Sequence, residues 1–146
     1  MESLPKQPFL KQPRSIQQPV IFFDGVCGLC NKFVDRLLKI DSKRIYLFAP
    51  LQGETAQNTL GGQPANPNEW SIVFADREGV HIKSTAVLRI LSGFGGVRSV
   101  FKIFFIVPLP IRDWVYEFVA SNRYKWFGKL STCRIPTKEE KSRFLP

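Results

Sequence analysis

The chain has 146 residues, enough for one domain whose core needs neither a disulfide framework nor a structural metal. Hydrophobic residues make up 44% of it and aromatic residues 13%, which excludes a wholly disordered protein. The formal charge is +9, but the basic residues are spread along the chain without a nucleic-acid-binding motif, so no nucleic-acid partner is expected.

The cysteine content indicates a reducing compartment. Three cysteines are too few for a disulfide framework, and the number is odd. Residues 1–18 are polar and lack the apolar core of a secretory signal, and the most apolar stretch, residues 94–111, is interrupted by Arg98, Lys102 and two prolines. We therefore predict a cytoplasmic protein, in which a Cys-x-x-Cys pair is more often catalytic or metal-binding than structural.

The N-terminal half predicts a flexible leader followed by a β-strand, a helix and a second strand. Residues 1–19 contain four prolines and four glutamines, so we predict a flexible leader there and one domain over residues 20–146. Residues 20–23 are apolar throughout, which is typical of a strand buried on both faces. Residues 28–40 have helical periodicity, with Asn31 on the polar face, and residues 45–49 predict the next strand before Pro50. This order predicts a right-handed parallel crossover.

The remaining elements follow from turn residues and periodicity. We predict a short helix over residues 55–60, a loop over 61–68, a strand over 70–75, a turn over 76–79 and a hairpin partner over 80–83. A helix capped by Ser84 is expected next, followed by a buried helix over 97–107. A helix over 111–124 and a short terminal helix near Pro136 complete the predicted elements. Trp114, Phe118 and Trp126 are assigned to the core.

The sequence Asp-Gly-Val-Cys-Gly-Leu-Cys at residues 24–30 lies where the first strand leads into the first helix. Unpaired N–H groups and the positive end of the helix dipole at a helix start stabilise a thiolate, so we expect a lowered pKa for Cys27. Cys30, one turn further on, is placed to attack a mixed disulfide formed on Cys27. This chemistry requires that the two sulfurs lie close together and that a visiting molecule reaches them.

Asp24 has two candidate roles. Its carboxylate would cap the helix or form a turn with nearby backbone N–H groups, or it would relay protons to and from Cys30 during exchange. A nearby anion raises the pKa of a thiol, which opposes the helix dipole. The net effect on Cys27 cannot be derived from residue order.

Two other function classes compete with redox chemistry. Cys27, Cys30, Cys133 and His81 have the ligand types of a zinc site, although His81 is expected to be an exposed strand residue. Cys133 is equally well explained as a buried small side chain or as a third redox thiol. The basic charge and the apolar residues 94–111 also fit a non-catalytic interaction module in peripheral contact with a membrane surface.

The chain resembles the DCC family of predicted thiol–disulfide oxidoreductases, which is named for an Asp and two Cys that correspond here to Asp24, Cys27 and Cys30. The resemblance extends from about residue 20 to the end through further blocks: 83–88, 110–116, 122–124, 127–128, Cys133 and 143–144. For the Arg112-Asp113 and Asn122-Arg123 pairs, a salt bridge or a helix-end contact is the favoured role.

The resemblance implies an α/β thioredoxin-like fold, a three-layer domain with a central mixed sheet and additional C-terminal helices. It implies Cys27 as the nucleophile, Cys30 as the resolving thiol, no organic cofactor, and a protein or small-molecule thiol or disulfide as the partner. Thioredoxin-like proteins carry a cis-proline just before the strand that faces the two cysteines. Here the nearest proline, Pro67, stands a few positions too early, which puts the usual mode of substrate docking in doubt.

Overall fold

The computed structural model describes residues 18–60, 72–131 and 136–145, without the side chain of Val97. The predictions for most of the leader, for the loop over 61–68, for Pro67, for the start of the third strand and for Cys133 fall outside these residues. At the described end of the leader, the Gln18 side chain donates hydrogen bonds to the carbonyls of Arg44 and Ile45.

The residues that the structure describes form four strands, four α-helices and two 3₁₀ helices. In chain order they are β1 (Val20–Phe23), α1 (Gly28–Ile40), β2 (Leu47–Pro50), α2 (Glu54–Leu60), β3 (Ile72–Asp76), β4 (Gly79–Ile82), α3 (Lys83–Ser92), the long 3₁₀ helix (Gly96–Ile106), α4 (Leu109–Phe127) and a short 3₁₀ helix (Lys141–Arg143). Among the described residues, no helix combines the length and the apolar character that crossing a bilayer requires.

The strands form one mixed sheet in the order β2-β1-β3-β4. Strand β1 pairs in parallel with β2 and antiparallel with β3, and β3 pairs antiparallel with β4. The predicted parallel pairing of β1 with β2 and the predicted hairpin are therefore confirmed, and the right hand of the crossover stays a prediction. Strand β2 begins two residues later than predicted and includes Pro50, whose ring nitrogen needs no ladder partner at a strand end.

Both faces of the sheet are covered, which explains why β1 is apolar throughout. Ile21 and Phe23 pack with α1 and α3 on one face, whereas Val20 and Phe22 pack with α2 on the other. This is the three-layer arrangement expected of a thioredoxin-like domain, with α4 added after the core. The fold class predicted from the resemblance is confirmed.

The apolar C-terminal half departs from the prediction. Residues 97–107 were expected to form a buried helix, but the long 3₁₀ helix leaves Ile103 and Ile106 59% and 82% exposed. On α4, Trp114 and Phe118 are 66% and 54% exposed, and Trp126 beyond them is half-exposed, so these three aromatic residues do not belong to the core. An apolar run does not by itself reveal whether the same chain supplies a partner for it.

Local capping differs from the prediction at α3. The helix begins at Lys83, and its N-cap residue, Ile82, makes no side-chain capping hydrogen bond. The Ser84 hydroxyl instead donates a hydrogen bond to Asp113 of α4. Ser84 therefore links two helices rather than starting one.

Candidate active site

Cys27 is the N-cap residue of α1. Its backbone is extended, and its sulfur accepts a hydrogen bond from the backbone N–H of Cys30 at 3.3 Å. An N-cap oxygen normally accepts such a bond from one of the first N–H groups of a helix, and here the sulfur does so. The predicted position of Cys27 at the helix start is confirmed.

The two thiols interact directly, and this contact sets their acidities. A hydrogen bond from the Cys30 thiol, helped by the Cys30 backbone N–H and the Arg123 charge, lowers the pKa of Cys27 to about 7 against the opposing effects of burial and Asp24. The same contact with Cys27, together with burial, raises the pKa of Cys30. Cys27 is therefore the thiol that ionises, and Cys30 holds its proton.

Asp24 lies buried directly after β1 and accepts hydrogen bonds through both carboxylate oxygens. The Val26 backbone and the Gln52 side chain donate to Oδ1 at 3.2 and 2.6 Å, whereas Arg123 and Tyr124 donate to Oδ2. Burial raises the pKa of Asp24, but these hydrogen bonds together outweigh it and the net pKa is lowered. Of the roles considered for Asp24, turn formation is observed, whereas Cys27 is the residue that caps α1.

Arg123 connects α4 to the thiol site across 99 residues of sequence. Its guanidinium is fully buried, and its Nη2 lies 3.1 Å from Asp24 Oδ2. Its positive charge lowers the pKa of both cysteines, whereas the negative charge of Asp24 raises both. The predicted salt bridge of the Asn122-Arg123 block is therefore present, and its partner is Asp24.

Asn31 was predicted on the exposed face of α1, but the structure buries it. Its Nδ2 donates to the carbonyls of Gly25 and Cys27, both at 2.9 Å. The side chain thus ties the turn that precedes Cys27 to the first turn of the helix. Because carbonyl oxygens two residues apart are held by one amide, the turn has little freedom to move.

A segment after α4 covers Cys27. Residues 128–130, which we call the strap, form a β-bridge with Cys27, in which Gly28 N–H donates to the Gly128 carbonyl at 3.1 Å and Leu130 N–H donates to the Val26 carbonyl at 2.7 Å. Cys27, which also belongs to the core cluster, is 0% exposed. The sulfurs are close together, as the sequence analysis required, but Cys27 is not accessible in this conformation.

An apolar cavity of about 230 Å³ lies beside Cys30. Cys30 lines it, and Cys27 does not. The remaining lining side chains come from α1, β3, α3 and α4: Leu29, Phe33, Ile72, Val87, Val115, Tyr116, Val119 and Ala120. The cavity therefore leads to the thiol that holds its proton.

His81 does not join the thiols. It is buried, contrary to the prediction of an exposed strand residue, and its ring Nε2 lies 3.1 Å from Asp76 Oδ1. Within the described ranges, the one group of three metal-ligating side chains is Asp76, Glu78 and His81, and Arg89 forms ion pairs with both acids. The zinc site of Cys27, Cys30 and His81 is therefore not assembled by the described residues, and Cys133 lies outside them.

Sequence reasoning identified the two cysteines and Asp24 but not Gln52 or Tyr124, which hold the Asp24 carboxylate. Arg123 was noted only as one member of a block. The signal available was chemical, because a carboxylate buried after an all-apolar strand needs donors from elsewhere in the chain. Which donors these are depends on α4 crossing α1, which no local pattern indicates.

Comparisons with known proteins identify a family and two relatives. Residues 21–129 match the family model described as DCC1-like thiol-disulfide oxidoreductase. The uncharacterized protein YuxK of Bacillus subtilis (strain 168) is 44% identical over 133 residues, which cover 90% of this chain and 96% of that protein. A chloroplastic DCC family protein of Arabidopsis thaliana is 35% identical over 121 residues, covering 82% and 70%.

No solved structure matches the chain significantly. The family match includes Asp24, both cysteines and Arg123, and it extends to Lys129 within the strap. The family description supports a redox role. On the strength of the family model and both relatives, the chain belongs to the DCC1-like thiol-disulfide oxidoreductase family.

Proposed function

We propose that the protein catalyses dithiol–disulfide exchange, with Cys27 as the nucleophile and Cys30 as the resolving thiol. The observation that carries this proposal is that the Cys27 sulfur accepts hydrogen bonds from both the thiol and the backbone N–H of Cys30. With a pKa of about 7, roughly half of Cys27 is thiolate at neutral pH, whereas only a few per cent of an ordinary thiol is ionised.

In the first step, the Cys27 thiolate attacks one sulfur of a substrate disulfide. A Cys27–substrate disulfide forms, the substrate S–S bond breaks, and the leaving thiolate takes a proton from water. In the second step, Cys30 loses its proton and attacks the Cys27 sulfur. A Cys27–Cys30 disulfide forms, and the remaining substrate thiolate leaves, so that two electrons have passed from protein to substrate. The reverse sequence oxidises a substrate dithiol.

The coupling between the thiols orders these two steps. The hydrogen bond with Cys27 is the largest cause of the raised pKa of Cys30, and the Cys27 charge adds to it. Both causes disappear when Cys27 becomes part of a mixed disulfide, because the sulfur then carries no charge. Cys30 is thus a poor nucleophile before the first step and a better one after it.

For Asp24 we propose an electrostatic and positioning role. A carboxyl group whose pKa is lowered holds a proton poorly, so its pKa favours the ion pair with Arg123 over proton relay. The pair leaves Arg123 fully buried and acting on both sulfurs. Proton transfer to and from Cys30 would then use water that enters when the strap moves.

Exchange requires the strap to move, because Cys27 is fully covered. The β-bridge holds it with two backbone hydrogen bonds, and each contributes about 1 kcal/mol. If opening the strap costs the free energy of these two hydrogen bonds, Cys27 is accessible in about one molecule in ten to one in a hundred at any moment. The strap therefore slows the reaction without preventing it.

The test of the exchange chemistry uses trapping. In a Cys133→Ser background, we expect Cys30→Ser to accumulate a stable mixed disulfide on Cys27 with a small aromatic disulfide such as dithiobis(nitrobenzoate), whereas Cys27→Ser does not. Mass spectrometry of the intact protein measures both adducts. Absence of the adduct, or one bound zinc per chain after purification without added metal, would contradict the proposal.

The test of the strap uses Gly28→Ala. A Cβ at position 28 would lie 2.2 Å from the backbone oxygen of Phe127, so the strap must shift although alanine itself suits a helix. We expect alkylation of Cys27 by iodoacetamide to become about tenfold faster or more. The matched control is Lys129→Ala, which changes an exposed side chain of the strap and leaves its backbone hydrogen bonds intact. Equal rates in all three proteins would show that the strap does not limit access.

A further inference from the structure

Exposed apolar side chains are confined to one part of the described chain. Every large hydrophobic residue that is exposed lies within residues 100–130, on the long 3₁₀ helix, on α4 or on the strap. We call these side chains the aromatic face. The most exposed of them are Ile106, Trp114 and Ile103, at 82%, 66% and 59%, followed by Ile111 at 55%. Monomeric proteins rarely leave so large an apolar surface in water unless something covers it.

The aromatic face is continuous along α4 and onto the 3₁₀ helix. The rings of Trp114 and Phe118 are 6.2 Å apart and stacked, and those of Phe118 and Trp126 are 5.7 Å apart. The Arg112 guanidinium lies 5.1 Å from the centre of the Phe105 ring, which joins α4 to the 3₁₀ helix. The exposed rings therefore form one surface rather than isolated side chains.

Four of the five exposed charged residues between residues 96 and 130 are basic. Arg98, Lys102, Lys125 and Lys129 are all exposed. The two acidic residues of α4 are engaged by α3, since Glu117 pairs with Lys83 and Asp113 accepts from Ser84. Basic groups thus outnumber acidic ones beside the exposed rings, and the exposed acid, Glu117, is paired with Lys83.

We propose that the aromatic face binds the surface of a membrane that contains anionic lipids. Tryptophan and phenylalanine side chains enter the boundary between headgroups and acyl chains, while lysine and arginine side chains bind the phosphates above it. The net charge of +9 draws the protein to such a surface. A second copy of the chain would be repelled by the same charges, so the charge pattern favours the lipid surface over self-association.

The proposal is tested by co-sedimentation of the full chain with vesicles. We expect binding to vesicles of phosphatidylcholine with phosphatidylglycerol, weak binding to phosphatidylcholine alone, and loss of binding as the salt concentration rises. The double variant Ile106→Asp/Trp114→Asp should lower partitioning at least about tenfold, and its substitutions are tolerated by folding because both side chains are exposed. Circular dichroism checks that the variant is folded.

A pair of charge variants separates local charge from total charge. Arg98→Glu/Lys102→Glu should lower partitioning about tenfold or more, whereas Lys43→Glu/Arg77→Glu changes the net charge equally at exposed positions away from the aromatic face and should have a clearly smaller effect. Equal effects of the two pairs would overturn the proposal, and so would equal binding to neutral vesicles. It would also be overturned by a dimer in solution that Ile106→Asp/Trp114→Asp dissociates while neither protein binds vesicles.

Discussion

Two buried arginine–aspartate pairs hold distant parts of this chain together, and only one of them acts on the thiols. Arg123 pairs with Asp24 beside the Cys-x-x-Cys turn, and Arg143 pairs with Asp41 at the end of α1. Both pairs connect residues about a hundred positions apart, and all four side chains are buried. The same type of ion pair therefore acts on the thiols at the start of α1 and connects distant segments of the chain at the end of α1.

The partners of the two aspartates explain the difference. Asp41 accepts from the backbone N–H groups of Ile45 and Tyr46, so its pair with Arg143 fixes the chain that leads into β2. Residue 145 then donates to the Phe48 carbonyl and attaches the C-terminal segment to the sheet. Asp24 instead accepts hydrogen bonds from side chains of α4 and of the loop after β2. The charge of Arg123 lowers the pKa of both cysteines. A buried pair acquires a chemical role when a titrating group lies within its field.

The largest expected effect comes from removing each arginine. Arg123→Met and Arg143→Met each leave a buried carboxylate without its cation, which costs about 3–5 kcal/mol of the free energy of unfolding. Urea unfolding of the reduced proteins measures this loss. Only Arg123→Met should raise the pKa of Cys27, as measured by the pH dependence of iodoacetamide alkylation in the folded protein. If the pKa of Cys27 shifts by a similar amount in both variants, the Arg123–Asp24 pair does not act on the thiols more than the Arg143–Asp41 pair does.

Removing a tyrosine hydroxyl should have a smaller effect. Tyr124→Phe deletes a hydrogen bond to the Asp24 carboxylate and should cost about 2 kcal/mol, because hydrogen bonds to charged groups are the stronger kind. The matched control is Tyr46→Phe near the second pair, which deletes a hydrogen bond to the neutral Ile90 carbonyl and should cost about 1 kcal/mol. Unfolding in urea at pH 7 compares the two, and a larger loss in Tyr46→Phe would be the contrary result.

The smallest expected effect is a pH dependence of stability. The pKa of Cys27 is about 7 in the folded protein and near 8.5 in the unfolded chain, so folding favours the thiolate. The resulting stabilisation is complete above the unfolded pKa and is lost as the pH falls through 7. Between pH 6 and pH 8 the free energy of unfolding should rise by about 1 kcal/mol relative to Cys27→Ser under reducing conditions.

The same measurement sharpens the contrast between the pairs. In an Arg143→Met background the pH-dependent stabilisation should persist, whereas in an Arg123→Met background it should shrink. Each background is compared with its own Cys27→Ser derivative, so that other titrating groups cancel. If the free energy of unfolding of the protein with both arginines does not rise between pH 6 and pH 8 relative to Cys27→Ser, folding does not stabilise the Cys27 thiolate.

Local chemistry determined what could be predicted from the sequence. The position of Cys27 at a helix start follows from an apolar strand, a glycine-containing turn and a helical period, all within about twenty residues, and it is confirmed. The environment of Asp24 depends on Arg123 and Tyr124 from a helix about a hundred residues later, and no periodicity encodes that contact. His81 was wrongly expected to be exposed because its partner, Asp76, lies on the neighbouring strand.

The apolar C-terminal half shows a different limit. Hydropathy correctly marked the long 3₁₀ helix as exceptional, but it implied burial within the domain. The side chains of Ile103 and Ile106 are exposed. An apolar segment therefore favours burial, but its sequence does not indicate which surface it packs against. Distinguishing a core segment from a binding surface required the positions of the helices, because α1 and α3 already cover this face of the sheet and α4 packs on those two helices.

The distance in sequence between Arg123 and the cysteines has a consequence for biosynthesis. A ribosome releases the Cys-x-x-Cys turn about a hundred residues before it releases the guanidinium that favours the thiolate and the segment that shields it. During that interval Cys27 lacks the field of Arg123 and is a weaker nucleophile. Docking of α4 therefore brings both the Arg123 charge that lowers the pKa of Cys27 and the strap that lies against it, so the acidity and the shielding of this thiol arise together.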